Sequence, residues 1–174
     1  MNPRLCKIAL VAAVGFFFFV VTLNDALLDY RGNYALIQHI LSMDTLNTGE
    51  QHAWRALRSP VTEAGNYWVY HLFYCTVILW NAATGVLCFL GAWRLWSARG
   101  AAAAVFNAAK GLAFTGLTLN LLLWLVALMA VAGEWFLMWQ SKEWNEQDSA
   151  FRMFACLGIV LIFLALEDRE LPAT

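Results

Sequence analysis

The chain has 174 residues, of which 61% are hydrophobic, 15% aromatic and 13% charged, with a mean hydropathy of +0.60 and a formal net charge of −1. Soluble globular chains are about a quarter charged, so this chain has roughly half the polar surface that water demands. The same figures exclude a disordered or collagen-like chain, and the absence of a net positive field excludes nucleic acid as a partner.

A membrane helix needs about 20 mainly apolar residues to cross ~30 Å of hydrocarbon at 1.5 Å per residue. Apolar runs near that size extend from Ile8 to Asn24, Ala64 to Arg94, Gly111 to Gly133 and Met153 to Leu166. They predict an all-α membrane protein: one domain over residues 1–174, a four-helix transmembrane bundle with a partly helical external cap. The spans fall at about 5–24, 66–94, 109–133 and 149–167, and the external loops at about 25–65 and 134–148.

Arg4 and Lys7 precede the first run in the manner of a secretion signal. No small-residue cleavage site follows, only Thr22-Leu23-Asn24-Asp25, so a retained helix is expected. The next segment is too long for a bare connection. Residues Asn33 to Leu46 carry Tyr34, Ile37, Ile40 and Leu41 on one face, which predicts an amphipathic helix, and a second short helix is expected around Glu50 to Leu57 before the Ser59-Pro60 break. After the second span, Ser97 to Ala104 is alanine-rich and reads as a short turn of helix. The third span ends among Trp135, Trp139 and Trp144 beside charges, the signature of an interfacial belt. The fourth run reaches spanning length only if it starts near Ser149 and Arg152 snorkels.

Lysine and arginine placement sets orientation. Arg4 and Lys7, then Arg94, Arg99 and Lys110, mark segments expected to be cytoplasmic, whereas nine of the twelve acids lie in the two expected external loops. Both termini are therefore expected in the cytoplasm. Cys6, Cys75, Cys88 and Cys156 form no CxxC pair and read as buried small hydrophobes.

Within the spans, Asn81 lies 13 residues from Trp68 and Asn120 lies 13 residues from Gly133. Antiparallel neighbours would bring both amides to the same depth, ~20 Å in, and an interhelical hydrogen bond worth ~0.6–2 kcal/mol is expected. Small residues at Ala9/Ala13 and Ala109/Ala113 permit close helix approach. A bis-histidine haem would need His39 or His52 to reach His71, and a zinc site from His39 and His52 matches no ligand spacing, so no cofactor and no metal are expected. No GxSxG, HExxH or phosphate-loop motif is visible, so the chain reads as non-enzymatic. Glu134 stands where the third span meets the interface and should seek a cationic partner, with Arg55 the first candidate.

The run from Gly133 to Lys142, then Trp144-Asn145 and Ala150-Phe151-Arg152, with His39 to Thr45 and Trp54-Arg55-Ala56-Leu57, resembles a family of predicted small integral membrane proteins. Glu146 and Ala132 stand where glycines are more usual in that family. The resemblance implies four membrane helices in a bacterial inner membrane and supplies no activity. Its motifs lie in the two external segments, which should pack into one cap. His39, Asp44, Arg55, Glu134, Trp135 and Trp139 are the candidate interaction residues there. The expected partners are membrane lipids and either a membrane protein or further copies of the chain. The function expected is that of an accessory subunit of a larger membrane assembly. A small oligomeric transporter or channel component, and a lipid- or quinone-binding protein using His71, Trp135 and Trp139, remain open as alternatives.

Overall fold

The computed structural model describes residues 2–46, 52, 54–57 and 68–170. Among these there is no strand. Helix α1 covers Pro3–Leu23 and continues as a π-helix over Asn24–Leu28, α2 covers Tyr30–Ser42, and α3 covers Trp68–Ser97. Helix α4 (Ala103–Ala109) leads into α5 (Gly111–Leu122), which continues as a π-helix over Leu123–Trp135. A 3-10 turn at Met138–Gln140 precedes α6 (Gln147–Ala165). Four stretches are long and apolar enough to cross a membrane: Pro3–Leu28, Trp68–Ser97, Ala103–Trp135 and Gln147–Ala165.

Several helices differ from their predicted limits for a local reason. Asp29 caps α2 by accepting from the Gly32 amide at 3.2 Å, so the helix starts before the predicted Asn33. A Cβ on Gly32 would lie 2.6 Å from the Asp29 carboxylate, which explains the glycine. Helix α2 stops early because Met43 is left-handed (φ 53°) and turns its amide back to the His39 and Ile40 carbonyls. The third span begins at Ala103 rather than 109, since extended Ala102 delivers the Ala103 amide to the Glu170 carboxylate at 2.9 Å. Asn145 accepts from the Gln147 amide at 3.1 Å and starts α6 two residues before Ser149. Arg152 is exposed and donates to Ser149 at 3.0 Å. Most of the helix predicted around Glu50 to Leu57, and the Ser59-Pro60 break, lie outside the described residues; His52 and Trp54-Arg55 have 3-10 geometry.

The chain divides into two compact units. Unit 1 contains Met1–Thr22, Trp80–Leu121 and Ala155–Thr174. Its helices approach through small residues: a Cβ on Gly91 would lie 2.7 Å from the Ala113 backbone nitrogen, and one on Gly116 would lie 2.9 Å from the Cys88 sulfur. Ala113 is thus part of a close approach, whereas Ala9 and Ala13 are exposed. Unit 2 contains Leu23–Leu79 and Leu122–Phe154. Its core joins Ile40, Leu41 and Met43 of the first long loop to Tyr70, Ala132, Phe136, Leu137 and Met138. The two loop segments therefore pack on each other. Of the cysteines expected to be buried, Cys88 is buried, Cys6 half-buried, and Cys75 and Cys156 exposed.

Candidate functional site

In unit 2 the candidate residues of the cap form two groups. The first is built at the end of α2, where the left-handed turn at Met43 folds Asp44 back toward His39. His39 Nδ1 lies 2.9 Å from both Asp44 oxygens, and the ring stacks on Trp144 at 4.6 Å with planes 16° apart. Thr45 and Ser141 share a hydroxyl hydrogen bond of 3.0 Å beside them, and the Trp144 amide donates to Ser141 at 3.0 Å. A carboxylate thus fixes the imidazole edge while an indole covers its face.

Arg55 organises the second group. Its guanidinium carbon sits 5.2 Å from the Trp54 ring and 5.4 Å from the Trp135 ring, and the two indoles meet edge to face at 5.8 Å. Trp54 is 69% exposed and Trp135 50%. The Arg55–Glu134 ion pair expected from the sequence is not formed among the described residues. Arg55 donates instead to the Trp135 carbonyl at 3.5 Å, and Glu134 faces outward on the neighbouring position. The physical reason is the π-helical end of the third span. There the Phe136 amide reaches back to Val131 at 3.0 Å, which leaves the Trp135 carbonyl and ring to the arginine. Trp139 is exposed and makes no ring contact with either group among the described residues.

Beneath these, Tyr30 and His71 share a hydrogen bond of 2.9 Å, and Tyr34 stacks on His71 at 4.3 Å. Tyr74 donates to the Asp25 carbonyl at 2.9 Å, and Tyr70 donates to Leu57. Burial raises the Tyr30 phenol above its ordinary range, so it stays neutral. His39 and His71 are committed to different partners, Asp44 and Tyr30. Among the described residues no three His, Cys, Asp or Glu side chains converge on a metal position.

Unit 1 holds a further group, of buried charges, that the spacing of the sequence does not bring together. Lys7 and Lys110, 3% exposed each, both reach one Asp168 oxygen, at 2.6 and 2.7 Å. Both also donate to the Leu166 carbonyl at the end of α6. Arg4, 1% exposed, donates to the carbonyls of Arg99, Ala101 and Arg169 at 3.1, 2.6 and 3.0 Å. Asn107 binds both the amide and the carbonyl of Asp168. Three cations therefore fasten the end of α6, the α3–α4 turn and the tail, where helix ends leave carbonyls unpaired and favour positive charge. Burial alone would raise the Asp168 carboxyl. The hydrogen bonds and charges of Lys110 and Lys7 outweigh it and hold the group below the usual carboxylate range.

The expected Asn81–Asn120 hydrogen bond is absent. Both residues are buried, at 4% and 0%, but among the described residues the Asn81 Oδ1 and both Asn120 side-chain polar atoms lack a partner, as does Thr84 Oγ1. The contacts of Gly91 with Ala113 and of Gly116 with Cys88 set an antiparallel register that continues to Thr84 opposite Asn120. Asn81 is left about a turn away. Trp80 Nε1 instead bridges the helices by donating to the Leu119 carbonyl at 2.8 Å.

The family model described as predicted small integral membrane protein (DUF2165) matches residues 3–167. The chain belongs to this family. The match takes in all four apolar spans, both groups of the cap and Lys7 and Lys110, and ends one residue short of Asp168. The family description states a membrane location and no activity. No curated protein and no solved structure matches the chain.

Proposed function

We propose that the chain is a non-enzymatic accessory subunit that binds a larger membrane protein through its cap, with the cap outside a bacterial inner membrane and both termini in the cytoplasm. The observation that carries this reading is Arg55 set between two exposed indoles, Trp54 and Trp135. Tryptophan and arginine are the residues on which interface energy concentrates, and an arginine already positioned by ring faces loses little freedom on binding. The family description agrees at the coarser level of a membrane protein. Against an oligomeric pathway stands the burial of Asn81 and Asn120 within one copy, which removes the polar side chains such a pathway would display.

A photoreactive residue at position 139 tests the reading in intact membranes, with position 105, exposed on the third span, as the control. The expected result is one adduct of defined mass at 139, absent at 105 and lost in the Trp54→Ala/Trp135→Ala variant. An adduct of twice the chain's own mass, or labelling of lipid alone, would overturn it. A cysteine at Ala101 reports orientation independently, since labelling from the periplasmic side would reverse the proposed topology.

A further inference from the structure

Arg94 and Arg99 stand exposed at the end of α3 and form no ion pair among the described residues. The acids of the tail are turned elsewhere: Asp168 is buried between Lys7 and Lys110, and Glu170 accepts from the Ala103 amide. Glu167 is exposed and pairs with neither arginine. Two accessible guanidinium groups are thus without a counter-charge at the end of a membrane span.

They sit beside two indoles. On a helix of 3.6 residues per turn, Trp93 falls between Trp96 on one side and Arg94 on the other. Trp93 is 66% exposed and Trp96 49%. Arg99, two residues beyond the helix, folds back along it: its guanidinium carbon lies 4.3 Å from the Trp96 ring, and one nitrogen donates to the Trp96 carbonyl at 2.8 Å. That bond satisfies a carbonyl of the last turn and uses one of the five N–H donors. An arginine that only marked orientation would extend into water, whereas this bend holds the charge at the level of the indoles. Val86, Phe89 and Leu90 continue the exposed face for about 10 Å toward the middle of the span.

The order along this face is guanidinium, indole and hydrocarbon, which matches the phosphate, glycerol ester and acyl chain of a phospholipid. Two positive charges without acids beside them favour a headgroup of net negative charge over a zwitterionic one, whose own ammonium they repel. We infer that this face of α3 binds an anionic phospholipid, its phosphate held by Arg94 and Arg99 beside Trp93 and Trp96. The patch shares no residue with the cap, so failure of the accessory reading leaves it untouched.

The test uses the full chain in zwitterionic detergent, with bound lipid counted by native mass spectrometry. Phosphatidylglycerol and phosphatidylcholine with the same chains both carry a phosphate and differ in net charge, so the ratio of their affinities reads the arginines. Each arginine near an anionic headgroup is worth about fivefold, so phosphatidylglycerol should bind about 25-fold more tightly. Arg94→Gln and Arg99→Gln should each remove about fivefold of that preference, and the double variant should abolish it. Arg94 has no side-chain hydrogen bond among the described residues, so Arg94→Gln alone decides should the double variant fail to fold. Arg152→Gln removes an exposed arginine of the other unit and controls for net charge; it should leave the preference intact. No preference in the wild type, a preference that the folded arginine variants of α3 keep in full, or an equal loss in Arg152→Gln overturns the inference.

Discussion

Replacing Asp168 with asparagine tests the ionic group of unit 1 most directly. The substitution keeps the shape of the side chain and removes the only carboxylate among the described residues that meets Lys7 and Lys110, whose side chains are 2% and 4% exposed. Two ammonium groups would then converge on a neutral amide and the Leu166 carbonyl. Removing one partner of a buried ion pair costs about 3–5 kcal/mol, and because the group sits at helix ends we expect the lower figure, a shift of roughly 150-fold in the folding equilibrium. The assay is denaturant unfolding in mixed micelles, wild type against Asp168→Asn, from pH 8 to pH 3. The Asp168 carboxyl is depressed in the folded chain, so its stabilisation is complete above the unfolded value of about 3.9 and disappears as the pH falls through the lower folded value. The gap between the two proteins should be constant from pH 8 to about 5 and narrow as the pH falls below about 4. A loss under about 1 kcal/mol at neutral pH, far beneath the buried-pair range, or a gap that does not narrow at all between pH 5 and pH 3, would refute the arrangement.

Gly91→Ala should destabilise unit 1 by about 1–3 kcal/mol through overpacking against the Ala113 backbone. Gly158→Ala in α6, where an added Cβ meets nothing, should gain up to about 1 kcal/mol, and thermal midpoints that fail to separate the two would contradict the packing. Asn120→Leu should leave stability unchanged or raise it by up to about 1 kcal/mol, since it removes buried polar atoms without partners. A loss of ~0.6–2 kcal/mol in the same unfolding assay would instead reveal the interhelical hydrogen bond that the structure lacks. Gly32→Ala should cost about 1 kcal/mol by displacing the Asp29 cap, and combining it with Asp29→Ala should add little further, which a double-mutant cycle measures.

The long elements are legible because hydropathy acts over whole helices. Every span appears where an apolar run lies, and the limits move only where a cap intervenes, as Glu170 does for Ala103 and Asn145 for Gln147. The pairing of side chains is less legible, because it depends on register. A shift of one turn is enough to set Asn120 opposite Thr84 and leave Asn81 without it. The sequence pairs Arg55 with Glu134, whereas ring faces and the Trp135 carbonyl hold the guanidinium instead. In a π-helical turn the carbonyl accepts five residues on, a detail that composition does not encode.

The ionic group of unit 1 was within reach of the sequence and hidden by one boundary. With the third apolar run starting at Gly111, Lys110 reads as the end of a connection that marks topology and needs no partner. Once the alanines from Ala103 are counted as helix, Lys110 and Lys7 both lie inside spans, where a cation requires a counter-charge. The acids at the same helix ends are those of the tail, Glu167, Asp168 and Glu170. Of these, only Asp168 is bound on both its amide and its carbonyl, by Asn107. Those two bonds fix the backbone on either side of the carboxylate, and this is why Asp168 rather than an adjacent glutamate meets the lysines. Arg4, Lys7 and Lys110, which the sequence offers as marks of orientation, are thus the residues that tie the two ends of the described chain together.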